Sequence, residues 1–133
     1  MENKIRNITR QDFSVIRKWW ETWGEPIPKL EDLPNNGLGG LILERDGILI
    51  AANFIYLTNS KSAYLSNLVA DPKKPLRKNE QKILTDACLA RAKQWGCTSI
   101  FLITKRDGLI NRLKEYGFGF SKKEYANGFC RLL

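Results

Sequence analysis

Residues 38–72 read LGGLILERDGILIAANFIYLTNSKSAYLSNLVADP, and the fold turns on this stretch. Within it, 38–45 and 48–58 are apolar runs of strand length, separated by Asp46-Gly47, a dipeptide that readily adopts the positive φ values of a type I′ hairpin turn. A second turn at 59–61 leads into a third run, 63–70, so the stretch predicts a three-strand antiparallel meander. Pro72 and Pro75 end it, because proline brings no N–H to a ladder.

Downstream, Ile83, Leu84, Ala87, Cys88, Ala92 and Trp95 recur at three- and four-residue intervals. They predict a helix over 79–95, capped by Asn79 and stopped by Gly96. The β-branched, apolar run 98–104 is short enough to be a buried strand. A strand, helix, strand order implies a parallel crossover, which sets 98–104 beside 64–70. Leu109, Ile110, Leu113 and Tyr116 line one face of a short helix ending at Gly117, and 118–133 predicts a last hairpin.

Upstream, Ile5 and Ile8 mark a short first strand, and Thr9 precedes Asp12 in a capping-box arrangement. Phe13, Ile16, Trp19, Trp20 and Trp23 then follow at helical spacing over 10–23, with Gly24 as the stop. The tryptophans read first as a helix face meeting a sheet and second as an exposed binding platform. Pro26, Pro28 and Pro34 leave the segment to Gly37 a loop with at most a short turn.

The 133 residues suit one domain, 1–133. No apolar run approaches the roughly 20 residues of a membrane helix, and no signal-peptide pattern opens the chain, so a soluble, cytoplasmic protein without membrane contact is expected. The formal net charge of +8 favours an anionic partner, whether a phosphorylated cofactor, nucleic acid or an acidic surface. With no histidine and three widely spaced cysteines, Cys88, Cys97 and Cys130, most zinc sites and every His-based triad are removed, and the cysteines read as reduced core residues.

The element order β, α, loop, β, β, β, α, β, α, β, β resembles the GCN5-related N-acetyltransferase (GNAT) fold, an α/β (α+β) single domain with a central mixed, mostly antiparallel sheet flanked by helices. Two segments carry the resemblance. Residues 64–72, Tyr-Leu-Ser-Asn-Leu-Val-Ala-Asp-Pro, are similar to the family's fourth strand, and 113–118, ending Tyr-Gly-Phe, to its last helix and exit. The resemblance implies acetyl-CoA as co-substrate, an amine as acceptor and no metal. It places the pantetheine arm against Leu68, Val69 and Ala70. The pyrophosphate would then meet the start of the following helix, here Arg77, Lys78, Asn79, Glu80 and Gln81.

That loop has no glycine where the family has two, and it carries Lys73, Lys74, Arg77, Lys78 and Lys82 instead, as in small phage-type GNAT-like proteins with a glycine-poor cofactor loop. Charge there would substitute for bare backbone in holding an anion; Glu80 adds a negative charge at the same place, one that could point to solvent. The family's usual base on the fourth strand and acid on the last helix fall at Ser66 and Leu113. Tyr116, one turn along, is the candidate acid, and Tyr64 and Ser66 are candidates to order a water. Glu44 and Asp46 are further carboxylates near the second hairpin, and Cys88 is expected to be inert. Two alternatives stay open: a non-catalytic GNAT-fold binding module for nucleic acid or a protein partner, using Trp19 and Trp20, and a structural accessory that dimerises.

Overall fold

The protein is described by a computed structural model over residues 2–102 and 107–119. The chain divides into two compact units, 1–101 and 102–133. The first unit holds β1 (Asn3–Asn7), α1 (Phe13–Trp23), β2 (Gly40–Arg45), β3 (Ile48–Leu57), β4 (Ser62–Ala70), α2 (Lys78–Gln94) and β5 (Ser99–Phe101). The second holds α3 (Asp107–Glu115). The five strands form one sheet in sequence order, antiparallel throughout except for the last pair, where β4 and β5 run parallel.

Asp46 and Gly47 both take positive φ, 53° and 81°, so the β2–β3 hairpin turns as its dipeptide predicts. Both faces of β2 and β3 are buried. One packs on α1, where Phe13, Ile16, Trp19 and Trp20 meet Ile42, Ala52, Phe54 and Val69. Trp20 stacks on Phe54 with ring centroids 6.1 Å apart. Trp19 and Trp20 are therefore core residues and are not available as an exposed platform. The other face takes Leu84, Cys88 and Ala92 of α2, which crosses β1, β2 and β3.

Local chemistry fixes several boundaries. Asp12 accepts the Thr9 N–H at 2.7 Å, and its carboxylate is paired to Arg6, so a short 3₁₀ turn at Arg10–Asp12 leads into α1. Gly24 closes α1 in the left-handed conformation. The proline-rich connection contains two 3₁₀ turns, Leu30–Asp32 and Pro34–Gly37, rather than one. Helix α2 begins at Lys78 with Arg77 as its N-cap, two residues earlier than the expected cap at Asn79. The reason is Glu80: as the third helical residue it accepts the Arg77 N–H at 3.1 Å, which places the cap three residues before it. Gly96 ends α2 at φ 87° as expected. Positions 103 and 104 of the run 98–104, and residues 120–133 of the hairpin expected over 118–133, Cys130 among them, lie outside the described residues.

Candidate functional site

The register of β3 against β4 shifts in mid-strand. Ala52 pairs with Val69 and Phe54 with Ser66, so Asn53 alone faces both Asn67 and Leu68. Asn67 takes φ 55°, a left-handed value that asparagine tolerates better than most residues. The result is a β-bulge, which bends a strand and re-aims its groups. Asn67 Nδ2 donates to the Tyr56 hydroxyl, and that hydroxyl reaches the Asp32 carbonyl at 3.4 Å. Burial raises the Tyr56 pKa, opposed by the bond from Asn67.

On its other side β4 pairs with β5 only through Ser62, Ala63 and Tyr64. From Leu65 to Ala70 it has no strand partner on that side among the described residues. Tyr64 and Phe101 are the last paired residues of the two strands among the described residues, with ring centroids 5.9 Å apart. At the far end of this edge the Ala70 carbonyl accepts a 2.8 Å bond from the indole N–H of Trp23, a ring that is 52% exposed. Leu68, Val69 and Ala70 thus line the edge whose backbone the sequence singles out. Ser66 is exposed beside the bulge.

Helix α2 starts eight residues after β4 ends. Arg77, Lys78 and Asn79 are exposed there, but Glu80 and Gln81 are buried, with exposures of 1% and 3%. Glu80 does not point to solvent. It is ion-paired to the Arg45 guanidinium, accepts from Asn3 Nδ2 at 2.7 Å and takes the Arg77 N–H. The Arg45 guanidinium, with the Arg77 N–H and Asn3, holds its carboxyl down to about 2 despite burial. An internal anion therefore occupies part of the N-terminus of α2, and Glu80 and Gln81 serve to hold the helix in place.

The remaining candidates separate clearly. Glu44 is ion-paired to Arg6 at 2.7 Å and Asp46 accepts the Glu2 N–H, so both carboxylates have structural partners. Cys88 is fully buried and burial pushes its thiol up to about 12, consistent with inert core. Tyr116 follows α3 and donates its N–H to the Leu113 carbonyl, while Leu113 itself is buried. No group of residues able to hold a metal occurs among the described residues, and no helix among them is long and apolar enough to cross a membrane.

Asn67, Tyr56 and Trp23 were not singled out as site residues by the sequence. An asparagine inside an otherwise apolar strand is the one available signal for the bulge, since it marks a place where left-handed backbone is affordable.

No family model matches the sequence, and no curated protein matches it. Solved structures do. An N-acetylglutamate synthase from Neisseria gonorrhoeae, complexed with coenzyme A and L-arginine, superposes with a TM-score of 0.74 at 19% identity over 90% of this chain. The ribosomal-protein-S18-alanine N-acetyltransferase from Escherichia coli gives 0.73 at 17% identity, covering 91% of this chain and 80% of its own. Ard1 from Thermoplasma volcanium gives 0.72 at 18%, covering 91% and 85%. The chain spans 28% of the length of the N-acetylglutamate synthase. The fold is that of the GNAT acetyltransferases, in line with its mostly antiparallel five-strand sheet and flanking helices.

Proposed function

We propose that this chain is a single-domain, acetyl-CoA-dependent N-acyltransferase acting on an amine. The observation that carries the reading is the edge of β4 from Leu65 to Ala70, bulged at Asn67 and without a strand partner among the described residues. Unpaired strand backbone is costly to leave without partners, and an extended amide-bearing arm satisfies it as a further strand would. The pantetheine arm of CoA has that chemistry, and the coenzyme A complex of a structural neighbour supports the choice.

The residues fit the two parts of the co-substrate unequally. The strand edge fits the arm. For the pyrophosphate, Glu80 already takes one N–H at the start of α2, so the reading assigns phosphate recognition to the exposed Arg77 and Lys78 with Asn79. Bound there, the thioester would supply the activated acyl carbon. Amide formation joins that carbon to the amine nitrogen and breaks its bond to sulfur; one proton leaves the amine and one reaches the thiolate.

The chain's own work is to orient the reactants and to handle those protons. Orientation alone lowers a barrier substantially. Ser66, beside the bulge, is assigned to a water that takes the amine proton, and Tyr116 to donation toward sulfur. With no carboxylate assigned as base, the reaction should quicken as pH rises and the amine deprotonates.

The second reading, a GNAT-fold binding module for nucleic acid or a protein, draws on the same Glu80, because an internal carboxylate at the helix start weakens an anion site. Titration of CoA by calorimetry, followed by release of free thiol from acetyl-CoA with a panel of primary amines, separates the two. Binding with amine-dependent thiol release supports the transferase. Binding without release on any amine removes the transferase reading, and absence of CoA binding supports the module.

A further inference from the structure

At the opposite end of α2 from the proposed phosphate contacts lies a groove of about 690 Å³, within the usual range of about 300–1,000 Å³ for small-molecule sites. It runs where β1 ends, β2 begins and β3 ends. The walls are largely apolar: Ile8, Leu38, Ile55, Leu57 and Trp95 contribute. The floor is backbone at Gly39 and Gly40, where a Cβ would come within 2.6 Å of Pro34 and 2.5 Å of the Asn53 carbonyl. The groove is consequently formed by packed main chain and does not depend on side-chain rotation to open.

Arg91 is the one charged residue among those lining it. Its guanidinium is held from two directions: Nη1 donates to Asn7 Oδ1 at 2.8 Å, and the group lies 5.8 Å from the Trp95 ring centroid. Nε and Nη2 have no hydrogen-bond partner among the described residues. An oriented fork with donors to spare, set in an apolar groove, matches a planar carboxylate. A single positive charge suits a monoanion better than a doubly charged phosphate.

We propose that this groove binds a small monocarboxylate with an apolar body, at a site separate from the β4 edge. Arg91 lies 14 positions beyond Arg77, the N-cap of α2, which at about 1.5 Å per residue places the groove roughly 20 Å from the phosphate contacts proposed at the start of the helix. The proposal stands whether or not the chain transfers acyl groups. Arg91 also sits in the last turn of α2, where any cation favours the helix dipole. Lysine would keep that role and lose the fork, so the two roles can be told apart.

The test is a titration of the full chain with octanoate, followed by the indole N–H resonances of the tryptophans. Saturable binding is expected with Kd below about 1 mM, with Trp95 shifting and Trp23 unmoved. Octanamide should bind at least about tenfold more weakly, because it lacks the negative charge and the second acceptor oxygen that a bidentate bond to the guanidinium needs. Arg91→Lys and Arg91→Gln should each lose affinity to a similar degree. Leu57→Asp, at a position 57% exposed, should also abolish binding with an unchanged melting temperature. Equal affinity for octanoate and octanamide, an Arg91→Gln variant that binds like the parent, or a response confined to Trp23 would each overturn the proposal.

Discussion

Glu80→Gln removes the carboxylate on which the start of α2 is organised, and its effect can be worked out from the structure. The carboxyl is held near 2 against an ordinary 4.5, and at about 1.4 kcal/mol per pKa unit that difference corresponds to roughly 3 kcal/mol. Glutamine keeps the shape and part of the hydrogen bonding of the buried carboxylate, which brings the expected loss to about 1–2 kcal/mol at neutral pH. For a chain of 133 residues such a loss lowers the melting temperature by about 5 °C. Because the folded-state pKa is depressed, the stabilisation is complete above the unfolded value of about 4.5 and disappears as pH falls toward 2. Asp12, lowered by Arg6, adds to the parent's loss in the acid range. Urea denaturation at about pH 7 and about pH 2.5 should show a clear parent-to-variant gap at the first and a gap reduced by more than half at the second. An equal gap at both would refute the reasoning, since it would assign the loss to packing and not to charge.

Three further outcomes follow from the same geometry. Trp23→Phe keeps the ring but drops the donor to Ala70, so stability should fall by about 1 kcal/mol while CoA binds a few-fold more tightly, measured by melting and calorimetry; weaker binding would show that the indole itself holds the ligand. Replacing Arg77 and Lys78 together by Ala should weaken CoA at least about tenfold, whereas Arg17 and Lys18, exposed on α1, should matter little when replaced at physiological salt; equal losses would point to nonspecific attraction by the net charge. Tyr116→Phe should lower the rate of thiol release at least about tenfold with little change in stability, and an unchanged rate across pH would leave solvent as the proton donor.

Strand order and hairpin geometry were legible because they rest on local chemistry. Asp46-Gly47 forces its turn wherever it stands between two strands, and the periodicity of 83–95 admits few readings other than a helix against a sheet. The parallel placement of β5 beside β4 follows from the intervening helix. What the sequence hid depends on partners distant along the chain. The bulge at Asn67 exists only relative to β3, and Asn67 meets Tyr56 from the neighbouring strand. Glu80 reads as an ordinary solvated charge until Asn3 and Arg45, 77 and 35 positions away, converge on it. Trp23 shares the helical spacing of Trp19 and Trp20, yet it comes at the helix end, beyond the sheet's cover, and turns to a backbone carbonyl instead of the core.

The central claim is that the open edge of β4 receives the pantetheine arm of CoA, and backbone amide spectra of the chain recorded during a CoA titration test it most directly. The account predicts saturable shifts concentrated at Asn67, Leu68, Val69 and Ala70, with the Trp23 indole N–H moving as its bond to Ala70 is contested and Arg77 and Lys78 responding at the start of α2. Saturable shifts that leave 65–70 and Trp23 untouched, or an absence of shifts at millimolar CoA, would contradict it.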